Sequence, residues 1–190
     1  MTPLNLDSTL DIFEKISTKV APNTELMLIG AVPCMFWGNG ISLLGGSRTT
    51  MDIDVWEEGS TFNTANLKAA LKSVNVGFNP TGFDEPDAPY LQIVTSEMVF
   101  VPAGNPVELY EINNLRLITP DPYSYIASKL IRCNIKDAAD CALIAKHHRI
   151  ASADLIKAAT KLKSCKRITR TQVELAHENI TLIQSFLSNL

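Results

Sequence analysis

Apolar positions recur at helical spacing near the start of the chain, where Leu10, Phe13, Ile16 and Val20 fall on one face. Asp7 or Ser8 stands where a cap belongs, and Ala21-Pro22-Asn23 ends the pattern. Residues 25–29 read as a buried strand. Residues 31–37 read as a helix with Pro33 in its first turn, stopped by Gly38-Asn39-Gly40. A loop rich in glycine and serine follows over 41–50. Strict alternation over 51–56 then predicts a strand with Met51, Ile53 and Val55 on one face and Asp52 and Asp54 on the other. Leu67, Ala70, Leu71 and Val74 share a face of a helix predicted over 61–74, which Asn75 to Gly77 breaks. A polar, proline-bearing loop is expected over 79–89, and strands over 90–95, 98–101 and 107–117.

Beyond Asp121 the period changes to that of helices, expected over 123–133, 136–148, 152–162 and 169–187, with Pro122 near the first start. Ala138, Cys141, Ala142 and Ala145 are spaced for close packing. The pattern predicts an α/β (α+β) protein: a mixed sheet flanked by helices over residues 1–118, then a C-terminal helical bundle over 119–190 packed on that core.

Composition narrows the class. A chain of 190 residues that is 46% apolar can bury a real core, which excludes a disordered protein. No signal-peptide pattern and no membrane-length apolar run are present, so a soluble cytoplasmic protein is expected. Cys34, Cys133, Cys141 and Cys165 are scattered without zinc-ligand spacing, and His147-His148 at a helix end gives no metal signal.

The net charge of −3 hides a division. Residues 1–120 carry 6 Lys/Arg against 14 Asp/Glu, a net −8, whereas residues 121–190 carry 11 against 6, a net +5. Lys157, Lys161, Lys163, Lys166, Arg167 and Arg170 concentrate the positive charge. Such a cluster can meet nucleic-acid phosphates, but no interleaved aromatics accompany it, and a solvated helix face explains it as well.

The chemistry concentrates at Asp52 and Asp54. Two carboxylates side by side repel unless a cation lies between them, and a hard divalent ion with oxygen ligands, Mg²⁺ above all, suits the pair. A solvated acidic face on an amphipathic strand is the plain alternative. The neighbours favour chemistry: Gly30-Ala31 joins the first strand to a helix start, and Arg48-Thr49-Thr50 leads straight into the acidic strand.

Strand, glycine at a helix start, Arg-x-Thr-x-Asp-x-Asp strand, helix, further strands, then Ser128-Lys129-Leu130 and Lys136-Asp137-x-x-Asp140: over roughly residues 25–150 this order resembles the nucleotidyltransferase-like proteins of the AbiEii type. That family comprises toxins of toxin-antitoxin or abortive-infection systems. The resemblance implies a nucleotidyltransferase core that moves a nucleotidyl group from a nucleoside triphosphate to an acceptor such as RNA or tRNA, with a cognate antitoxin as a further partner. Carried over by residue, Gly30 and Ala31 match the glycine element at the nucleotide phosphates, and Arg48 and Thr50 the polar lead-in. Asp52 and Asp54 match the metal pair, Lys129 the helix lysine, and Asp137 or Asp140 the late acid. Helix-terminal NH groups, Mg²⁺ on paired carboxylates and a lysine beside transferring phosphoryl oxygens are physically suited to those roles.

Two positions depart from the family pattern. Ala31 lacks the hydroxyl usual after the glycine, and the stretch 90–94 offers only Gln92 where a third strand carboxylate often stands. Gly45-Gly46-Ser47 lies too close to Asp52 to replace the glycine element, since no helix fits between them. Glu97, Glu108 and Glu111 are remaining acids, each read as facing solvent. A catalytically degenerate module that binds a nucleotide or a protein is the competing reading. So is a purely structural role for Lys129, Arg132, Lys136, Asp137 and Asp140, whose spacing allows ion pairs on a helix or across a turn.

Overall fold

A computed structural model describes residues 3–79 and 88–188. Most of the loop expected over 79–89 lies outside the described residues. The chain is an α+β protein, with two small sheets in its first two thirds and helices at its C-terminal end.

Helix α1 spans Leu6–Ser17 and buries Ile12, Phe13 and Ile16. Its cap is Asn5, not Asp7 or Ser8 as expected. The Asn5 side chain accepts from the Ser8 backbone N–H, while the Ser8 side chain returns to the Asn5 N–H, a reciprocal box that satisfies two free helix donors. Strand β1 (Thr24–Met27) and the short helix α2 (Val32–Trp37) follow, joined through a turn at Gly30, whose φ is +67°.

Strand β2 (Asp52–Trp56) shows the predicted alternation. Ile53 and Val55 are fully buried, and Asp52, Asp54 and Trp56 lie partly exposed on the other face. Helix α3 (Thr64–Lys72), capped by Asn63, carries the chain back across the sheet. That crossover is what a parallel pairing requires, and β3 (Gly77–Phe78) and β2 both lie parallel to β4 (Tyr90–Val94) in the order β2-β4-β3. In this register Asp54 stands opposite Gln92.

The second sheet has the order β1-β6-β5. The strand expected over 107–117 is two, β5 (Val107–Ile112) and β6 (Leu115–Thr119), paired antiparallel. A tight turn at Asn113, with φ +50°, separates them; asparagine tolerates this left-handed conformation without a glycine to announce it. Residues 98–101 form no strand, contrary to expectation. The Leu28–Val55 bridge ties the two sheets, and the Ile29 N–H donates to the Asp54 carbonyl at 3.0 Å.

Helices α4 (Pro122–Leu130), α5 (Ile135–His147), α6 (Leu155–Lys161) and α7 (Arg170–Leu187) complete the fold. Two large apolar clusters result among the described residues, with a small third one of Ile29, Val94 and Val101. One gathers Phe13, Ile16, Leu26, Ile53, Val55, Leu71, Leu91 and Leu117 around the sheets. The other gathers Tyr125, Ile126, Leu130, Cys141, Ala142, Leu155 and Ile183 among the helices. Helix α2 enters both, through Val32 on one side and Cys34 on the other. Among the described residues, no helix is long and apolar enough to cross a membrane.

Candidate active site

Alternation along β2 puts Ile53 and Val55 into the sheet core, so Asp52 and Asp54 are forced to the opposite face, toward α4. There they line a cleft of about 350 Å³ with Gly30, Gln92, Ser128, Lys129 and Arg132. On the other side of the pair a second hollow, about 390 Å³, is lined by Ala31, Arg48, Thr50, Lys136 and Asp137 as well. Gly30, Asp52, Asp54, Lys129 and Arg132 border both. The acid pair is thus a ridge between a half-apolar hollow and a strongly polar one.

Gly30 is required by position. A Cβ there would collide with the Asp54 carboxylate, and the positive φ disfavours any side chain. Its carbonyl accepts from the Tyr125 hydroxyl, and Tyr125 is fully buried in α4 one helical turn before Lys129. The same hydroxyl lies 3.1 Å from Cys34 Sγ, and the ring meets Trp37 edge-on at 5.5 Å. Burial, then the charge of Asp140, pushes the Cys34 thiol up to about 12, so it stays protonated and is no nucleophile.

Asp54 is the perturbed acid. Burial, reinforced by the neighbouring charge of Asp52, pushes its carboxyl up to about 6, and Lys129 and Arg132 only partly offset this. The Thr50 hydroxyl donates to the Asp52 carboxylate, fixing that side chain from the lead-in loop.

The later residues form a network. Lys129 is buried and its Nζ lies 3.0 Å from Asp137 Oδ1 and 3.1 Å from Asp140 Oδ2. Burial alone would lower its pKa, but Asp140 and Asp137 raise it, so the ammonium stays charged. Arg48 grips Asp140 through Nε and a terminal nitrogen, both at 2.9 Å. Arg132 does the same to Asp137 at 2.9 and 3.1 Å, which with Lys129 outweighs burial and holds that carboxyl below the usual range. The Asn134 side chain caps α5 and accepts from the Lys136 and Asp137 N–H groups.

The fold therefore brings Gly30, Ala31, Arg48, Thr50, Asp52, Asp54, Lys129 and Asp137 to one place. Asp140 lies behind them, occupied by two cations, and lines neither hollow. Three contributors were not assigned a part in the site from sequence. Arg132 was seen only as a helix ion-pair residue, Ser128 only as a neighbour of Lys129, and Tyr125 carried no signal. Tyr125 stands four residues before Lys129 on α4, Ser128 beside it, and Arg132 three residues after it just past the helix end, a grouping visible only once that helix and its exit are placed.

Among the described residues no group of three or more His, Cys, Asp or Glu is gathered to hold a metal. A complete protein-built shell is thus not on offer, but magnesium usually keeps several waters and takes one or two carboxylates plus substrate phosphates. Asp52 and Asp54, two all-oxygen ligands whose mutual repulsion Lys129 and Arg132 only partly offset, fit that donor set. Compared with protein-family models, with curated proteins and with solved structures, the chain matches none.

Proposed function

We propose that this cleft binds Mg²⁺ and a nucleoside triphosphate and catalyses transfer of the nucleotidyl group to an acceptor hydroxyl, on RNA or tRNA. One observation carries the reading: the only strongly perturbed surface-lining carboxylate described, Asp54, stands beside Asp52 on a strand face that a glycine turn approaches and that Lys129 and Arg132 confront. Metal bound by the two acids would supply charge neutralisation for the phosphates. Arg132, mostly exposed, and Lys136 border the polar hollow where a polyphosphate would lie. Asp137 and Asp140 keep Lys129 and the two arginines in place rather than meeting substrate themselves. In the transfer the acceptor oxygen forms a bond to the α-phosphorus as the bond to pyrophosphate breaks, and the hydroxyl proton leaves to solvent or to a carboxylate of the cleft.

Gln92 favours a second reading. It faces Asp54 across the sheet with a neutral amide, so the pair lacks a third strand acid, as in a module that binds nucleotide without transferring it. Incubating the protein with each α-labelled triphosphate, Mg²⁺ and total RNA separates the two. Label is expected in RNA with the wild type and lost by at least about a hundredfold in Asp52→Ala, a loss typical of removing a transition-state electrostatic partner, with unchanged circular dichroism. Equal labelling by the variant rejects the assignment, and metal-independent binding without product favours the module.

A further inference from the structure

The basic stretch 157–170 has no aromatic residue of its own, but the fold supplies two from elsewhere. Trp56 ends β2, two residues beyond Asp54 and on the same strand face. Phe100 lies in the segment after β4. Both line a hollow of about 500 Å³ together with Ser164, Cys165, Lys166 and Arg167. Val99 and Phe100 also line the acid cleft, so the two spaces meet along that wall.

The charges on this hollow are available. Lys166 is exposed and makes no ion pair among the described residues. Among the described residues Arg167 pairs only with Glu97, at 3.2 Å, and both side chains are more than half exposed, so the pair is weak and exchangeable. One carboxylate, Glu58, shares the lining, and it already accepts from the Ser96 N–H at 2.9 Å.

We infer that this hollow, where Trp56 and Phe100 meet Lys166 and Arg167 beside the acid cleft, holds single-stranded nucleic acid. Bases stack on the two aromatic rings and phosphates lie at the two cations, a combination that binds strands with little regard to sequence. Bases inside a duplex are already stacked and cannot use such rings. The inference rests on the transfer reading for its direction, with the strand's end toward Asp52 and Asp54, but the binding itself requires neither metal nor triphosphate.

The test uses the full chain in Mg²⁺-free buffer and a fluorescent short oligoribonucleotide, its duplex, and a Glu-rich peptide as competitor. The single strand is expected to bind better than the duplex, with a log–log salt slope of about −0.7 per phosphate engaged. Lys166→Glu, on an exposed side chain, and Phe100→Ala should each weaken binding about tenfold or more. Cys165 is only partly buried, whereas Cys34, Cys133 and Cys141 are buried, so bound strand should slow its alkylation by a maleimide. Equal binding by wild type and Lys166→Glu, no protection of Cys165, or displacement by the peptide at matching concentration each overturns the inference, the last by pointing to a protein partner. Strand binding without any labelled product sinks the transfer reading alone. Transfer to RNA that is indifferent to Lys166→Glu sinks this inference alone.

Discussion

Asp54 pays a stability cost for its place in the cleft, and the sign of that cost makes it measurable. Its carboxyl titrates near 6 in the folded protein, against 3.8 for an ordinary aspartate. Between those values the folded chain binds more protons than the unfolded one, so stability falls as pH rises through the window and the full penalty is present above about 6. It is on the order of 2–3 kcal/mol. Asp54→Asn, which keeps the shape and removes the charge, is therefore expected to raise the urea midpoint at pH 7.5 and to leave it nearly unchanged at pH 4. An equal shift at both pH values would show that the ionised carboxylate is not what burdens the fold. Mg²⁺ should stabilise the wild type at pH 7.5 and have little effect on the variant, because a ligand stabilises only the state that binds it.

At the scale of elements, the start of α5 governs the cation network, because Asn134 caps the helix there. Its side chain satisfies the Lys136 and Asp137 N–H groups, and Asp137 then meets Lys129 and Arg132. Asn134→Ala is expected to cost about 1 kcal/mol and Asn134→Ser much less, as for other helix caps. Chemical denaturation checks this, and equal losses would mean that the cap is not what holds the helix start. How much could be read from sequence follows the same division between local and distant. The β2 alternation and the α5 packing face were legible because each is set by a period within a few residues. The β5–β6 turn was not, since Asn113 takes its left-handed conformation without glycine or proline nearby. Nor was the false strand over 98–101, whose apolar residues line hollows instead of a ladder. In the site, Asp52, Asp54 and Gly30 stood out by local pattern. The Arg48–Asp140 pair joins residues 92 apart, and the Tyr125 bond to Gly30 joins residues 95 apart, so neither had a local signal.

The same long-range contacts decide whether the molecule behaves as one cooperative unit. The cleft has one wall from the sheet cluster and one from the helical cluster, so its geometry holds only while the two stay docked. Three features dock them: α2, which enters both cores; the Tyr125 hydroxyl on the Gly30 carbonyl; and the two-point Arg48–Asp140 pair, largely buried on both sides. Breaking a buried charge pair costs several kcal/mol, comparable with the stability of a whole domain, so one cluster is not expected to unfold while the other persists. The two tryptophans report on the two sides. Trp37 packs against the helical cluster, with its ring 4.8 Å from His148, while Trp56 packs beside Ile29, Val94 and Val101 at the sheet. In Trp37→Phe and Trp56→Phe proteins the remaining fluorescence transition in urea is expected to coincide with the far-ultraviolet dichroism of the same variant. A Trp56 transition that precedes loss of helix would show the sheet side opening first, and the acid pair would then lose its facing cations before the protein unfolds.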